Sequence, residues 1–100
     1  MTTKEFNEIL STNNVVICKL GAEWCSPCKA MEPIIESVAG KMRNKARVID
    51  VDVEESPDIS TEYRVRNIPT ILYFKDGELK DKSVGSISEE DLINRINNLI

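Results

Sequence analysis

The chain of 100 residues, 41% hydrophobic and 30% charged, is long enough for one hydrophobic core and so for one domain over residues 1–100, and too evenly mixed for a disordered segment. No apolar run approaches the roughly 18 residues of a membrane-spanning helix. Thirteen basic and 17 acidic residues, interspersed to a net charge of -4, leave no basic block to neutralise phosphates, so neither a membrane nor a nucleic acid is an expected partner.

The opening residues MTTKEFNEIL mix Lys4, Glu5 and Glu8 into their apolar positions, unlike a secretion signal, and a cytoplasmic protein is expected. Phe6, Ile9 and Leu10 have helical spacing behind Thr2 and Glu5, which are spaced as a capping box. After Asn13 and Asn14, the β-branched run Val15 to Leu20 predicts a buried strand that ends at Gly21. From Cys25 the pattern is helical again, with Ile34, Ile35, Val38 and Met42 as its apolar stripe and Pro27 in the first turn; Pro33 inside it predicts one bent helix. Ile49, Val51 and Val53 alternate with Asp50 and Asp52 as a strand does, and Ser56-Pro57 supplies the cap and first-turn proline of a short helix. IPTILYF, turned at Asp76-Gly77 toward LKDKSV, predicts a hairpin in which Tyr73 and Phe74 pack. Ser88 caps a last helix whose stripe is Leu92, Ile93, Ile96, Leu99 and Ile100. The order α-β-α-β-α-β-β-α implies an α/β fold in which a right-handed crossover joins two parallel strands and the hairpin adds antiparallel ones, with helices on both faces.

Three cysteines without a histidine are too few and of the wrong parity for a disulfide-stapled secreted fold; they divide into the pair Cys25 and Cys28 and the separate Cys18. The pair could be half of a zinc site, but with no histidine and only Cys18 remaining, metal would need a second chain or carboxylates. A static disulfide closing so short a loop stabilises weakly. Reversible exchange explains the position, because a helix N-terminus favours the thiolate that attacks disulfides. On that reading Cys25 is the nucleophile, and Cys28, one turn on and more buried, resolves the mixed disulfide. A shared metal and an incidental pairing stay open at this point. Cys18, in the central strand, reads as a small apolar residue, and Glu23 as a solvated charge.

WCSPCK at the start of a proline-bent helix, Ile68-Pro69-Thr70 opening a strand and Gly85 before the last helix together resemble the thioredoxin family, over the span from Thr2 to Ile100. The resemblance implies the thioredoxin fold, here with a four-stranded mixed sheet and four helices, since the chain starts where the family's first helix starts and lacks most of the usual N-terminal strand. It implies a protein-disulfide reductase and electron carrier, with Cys25 as the exposed nucleophile, Cys28 as the resolving thiol, and Trp24 and Pro27 as their flanking residues. Pro69 matches the proline whose preceding bond is cis in the family, and Ile68 offers backbone hydrogen bonds to an extended substrate. Trp24, Pro27, Val53, Ile68, Pro69, Val84 and Gly85 form the implied apolar rim. No cofactor is implied beyond the reversible Cys25–Cys28 disulfide. The implied partners are disulfide-containing proteins and a thioredoxin reductase, linked to NADPH or ferredoxin, and the protein is expected to be a monomer. A disulfide oxidant or isomerase of the same fold, or a binding module that uses the rim without its cysteines, are the alternatives.

Two departures from the family pattern stand out. Ser26 replaces the usual glycine between the cysteines, adding a hydroxyl and a stiffer turn. Lys19 stands where thioredoxins usually bury an aspartate, and Asp50 where many bacterial members carry the partnering lysine. The inversion predicts a Lys19–Asp50 ion pair on neighbouring strands beneath the thiols, or else a Lys19 that snorkels to the surface.

Overall fold

The computed structural model describes residues 1–100. The first helix, α1 (Thr3–Thr12), starts where Thr2 and Glu5 exchange hydrogen bonds: Thr2 N–H donates to Glu5 Oε1 at 3.0 Å and Glu5 N–H to Thr2 Oγ1 at 3.1 Å. Two of the helix's orphan donors are thereby satisfied. Its inward residues Phe6 and Leu10 pack on β1 (Val15–Gly21), every residue of which is buried.

Burial on both faces marks β1 as a central strand, which is why it reads as a continuous apolar run. The sheet order is β2-β1-β3-β4, with β2 spanning Arg47–Asp52, β3 Thr70–Lys75 and β4 Glu78–Val84. β1 pairs parallel with β2 and antiparallel with β3, and β3 pairs antiparallel with β4. Side chains alternate between two cores, as the two-residue period of a strand requires. Val15, Ile17, Ile71 and Tyr73 face α3 (Glu32–Lys41) and α5 (Glu89–Asn97), whereas Val16, Cys18, Leu20 and Leu72 face α1 and α4 (Pro57–Glu62).

The predicted helix from Cys25 is two helices, α2 (Ser26–Ala30) and α3, joined at Met31. Pro33 sits in the first turn of α3, where it has no N–H for the Lys29 carbonyl and its ring crowds that oxygen. Met31 keeps helical angles, φ -84 and ψ -12, so the path bends without leaving the sheet. Five helical segments therefore flank the four strands.

Three smaller expectations change. Ser56 does not cap α4; its hydroxyl donates to the Met1 carbonyl at 2.6 Å. Val53 lies just past β2, its N–H still reaching Gly21 O at 2.9 Å. Ile100 is exposed, because α5 stops at Asn97 and the chain then leaves the helical stripe. The hairpin turns at Asp76 and Gly77, φ 52 and 82, the left-handed pair that a two-residue turn demands. Tyr73 and Phe74 belong to the two main cores: Tyr73 Oη lies 2.9 Å from Ser83 Oγ, and Phe74 stacks edge-on with Phe6 and Tyr63 at 5.6 and 5.2 Å between ring centroids.

Candidate active site

All the strand ends and loops that matter meet at one end of the sheet. β1 ends at Gly21, and four residues later Cys25 is the N-cap of α2, its extended backbone (φ -93, ψ 106) turning into the helix. The cap acceptor is sulfur: Cys28 N–H donates to Cys25 Sγ at 3.3 Å. An N-cap sulfur that accepts an amide and faces the positive end of the helix is stabilised as a thiolate when the pair is open. Here Cys25 and Cys28 are joined as a disulfide, their Cα atoms 5.3 Å apart, a separation ordinary for the bond.

The resemblance implies an exposed Cys25. In the closed pair it exposes 6% of its surface and Cys28 1%, because Ala22, Val53 and Ile68 pack around them. Both residues are buried in the closed pair, Cys25 slightly less than Cys28. Ser26 and Pro27 are exposed at the start of α2.

The Ile68–Pro69 peptide bond is cis, and the Ile68 carbonyl lies 4.0 Å from Cys25 Sγ. Gly85, at φ 90, donates its N–H to Pro69 O at 2.8 Å, which ties the end of β4 to the start of β3. Val84 pairs with Thr70 and stands 59% exposed beside this loop, and Trp24 is 69% exposed. The residues foreseen as an apolar rim, from Trp24 and Pro27 through Val53, Ile68 and Pro69 to Val84 and Gly85, are therefore carried on segments gathered at this end of the sheet.

Glu54 is a member of the site that sequence reading missed. Its carboxylate accepts the indole N–H of Trp24, while Asp52 Oδ1 accepts the Glu54 amide at 2.8 Å and fixes the turn that presents it. The acidic tract Asp52 to Glu55 carried no signal that one member would reach 30 residues back along the chain.

Lys19 and Asp50 are register partners on β1 and β2, with Nζ 3.4 Å from Oδ2. Lys19 is 3% exposed and Asp50 50%. Lys19 lies on the α3 face of the sheet, opposite to Cys18, whose thiol is pushed well above its ordinary value by burial first and by the Asp50 charge second. No three Cys, Asp or Glu side chains converge as a metal-binding group, and no helix is long and apolar enough to cross a membrane.

A sulfur pair at a helix N-terminus, with one member capping the helix and a peptide carbonyl beside it, makes the chain a thiol–disulfide oxidoreductase. The thioredoxin family model matches residues 1–98. A thioredoxin of Rickettsia bellii is 41% identical over 101 residues, covering all of this chain and 96% of the relative; one of Mycoplasmoides gallisepticum is 41% identical over 88 residues, covering 88% and 87%. A thioredoxin structure from Halobacterium salinarum superposes with a TM-score of 0.92 at 34% identity, covering 97% of this chain and 84% of that one. Oxidised mitochondrial thioredoxin 3 from Saccharomyces cerevisiae gives 0.90 at 32%, covering 97% and 90%. The chain belongs to the thioredoxin family, whose members are protein-disulfide reductases.

Proposed function

We propose that the chain is a single-domain, monomeric, cytoplasmic electron carrier that reduces disulfides in partner proteins and is itself reduced by a thioredoxin reductase linked to NADPH or ferredoxin. The observation that carries this reading is the Cys28 amide donating to Cys25 Sγ at 3.3 Å. Opened, the pair has a stabilised nucleophile in the less buried of its two residues and a second thiol one turn on. Cys25 attacks one sulfur of a partner's disulfide, and the other sulfur leaves as thiolate. Cys28 then attacks Cys25, closes the internal disulfide and releases the reduced partner, so that two electrons have passed from the dithiol to the partner.

Docking is assigned to Trp24, Val53, Ile68, Pro69, Val84 and Gly85. Their mostly apolar surface suits an extended segment held by backbone contacts at Ile68, with broad selectivity. The test is reduction of a disulfide-bonded protein such as insulin, supplied with dithiol, by the chain and by its Cys25→Ser, Cys28→Ser double variant. Loss of turnover in the variant supports the carrier reading. Full function of the double variant would defeat the carrier reading.

A further inference from the structure

Gly21 is the thin wall between the disulfide and the buried lysine. A Cβ at Gly21 would stand 3.0 Å from Cys28 Sγ and 3.4 Å from Lys19 Cε, so the sulfur and the last carbon of the lysine stem flank one point in space. Lys19 is also the one cation in a cleft of about 280 Å³ that Glu23, Glu32, Asp50, Asp52 and Glu55 line. These carboxylates come from the loop after β1, the start of α3, β2 and the loop after β2, and every one of them opposes a thiolate at Cys28.

We infer that Lys19 is the positioning residue for the resolving step: its ammonium, anchored by Asp50 at 3.4 Å, faces Cys28 through the Gly21 gap and offsets the acidic cleft, so that Cys28 ionises once the disulfide opens. The inference rests on the redox reading above. In the mixed disulfide, Cys28 gives up its proton to solvent, and its thiolate attacks Cys25 Sγ. The Cys25–Cys28 bond forms, the bond from Cys25 to the partner breaks, and the partner sulfur leaves with the electron pair and is protonated by water. Asp50 has two opposed effects: it holds Lys19 in place, and its own charge subtracts from the benefit.

The experiment is a pH titration of the reduced protein carrying ¹³Cβ-labelled cysteine, followed by NMR, in the parent chain and in Lys19→Met, Lys19→Arg and Asp50→Asn. Lys19→Met is expected to make Cys28 at least tenfold less acidic and Lys19→Arg to restore most of the loss, while Asp50→Asn reads the balance of its two opposed effects. Unchanged Cys28 titration in Lys19→Met, or in Lys19→Gln should the first variant not fold, overturns the inference. Insulin reduction by the parent is measured separately and bears only on the redox reading, so the two fail independently.

Discussion

Gly21 leaves no room for a side chain beside Cys28: a single methyl group added to it would lie 3.0 Å from both Cβ and Sγ of the resolving cysteine. The last residue of the central strand must therefore be bare for α2 to seat on the sheet. Gly21→Ala is expected to lower the stability of the disulfide form by about 1–3 kcal/mol, the usual range for forcing an extra methyl into a packed site. Denaturant unfolding of the oxidised proteins measures it; equal midpoints would show that α2 shifts freely.

Tyr73 and Ser83 form a buried hydroxyl pair at 2.9 Å across β3 and β4. Removing one member strands the other, so Tyr73→Phe is expected to cost about 1–2 kcal/mol. Thermal unfolding of Tyr73→Phe beside the Tyr73→Phe, Ser83→Ala double variant separates the terms: the second change should recover part of the loss.

Cys18 is expected to make stability fall at alkaline pH. Burial and the Asp50 charge raise its thiol above the ordinary 9.0, so the folded chain keeps a proton that the unfolded chain releases. A raised value of this kind contributes stability that is whole below pH 9 and falls as pH rises further, by about 1.4 kcal/mol per pH unit for one proton. Tyr63, pushed up to about 12 chiefly by burial, acts in the same direction above its ordinary 10.0. Cys18→Ala is expected to be less stable at pH 7 by about 1–2 kcal/mol through its small cavity, with the gap to the parent narrowing between pH 9 and 10. Urea unfolding of the oxidised proteins across that range checks it, and a constant gap would contradict it.

The exposed rim should matter for protein substrates and not for small ones. Val84→Asp puts a charge on an edge position 59% exposed, with stability expected within about 0.5 kcal/mol of the parent. Its kcat/KM for insulin is expected to fall about tenfold, while the rate with a small aromatic disulfide changes less than twofold. Equal loss on both substrates would place the damage in the sulfur chemistry instead of docking.

Most of the architecture was legible because its signals are local. The capping box at Thr2 and Glu5, the two-residue period of Ile49, Val51 and Val53, and the Asp76-Gly77 turn each dictate their own few residues. Pro33 was legible as a bend, but whether a proline bends or divides a helix depends on how the neighbouring turn packs, and here Met31 is drawn into the core on the α3 face. Ser56 shows the same limit: a cap-forming residue in cap position gave its hydroxyl to Met1, 55 residues away. In the site, Cys25 and Cys28 stood out by spacing alone, whereas Glu54 meets Trp24 only through the crossover that sets β2 beside β1. Lys19 and Asp50 could be paired on paper only by aligning the chain to a family, since register across a parallel pair has no short-range signature.

The most direct measurement uses Trp24, the only tryptophan, which adjoins Cys25: a fluorescence titration in buffers of graded dithiol and disulfide, read as a two-electron midpoint. A disulfide reductase predicts one reversible transition, nearer to the roughly -270 mV typical of thioredoxins than to the roughly -180 mV of protein disulfide isomerase. A midpoint above about -180 mV, or the absence of a two-electron transition, would contradict the account.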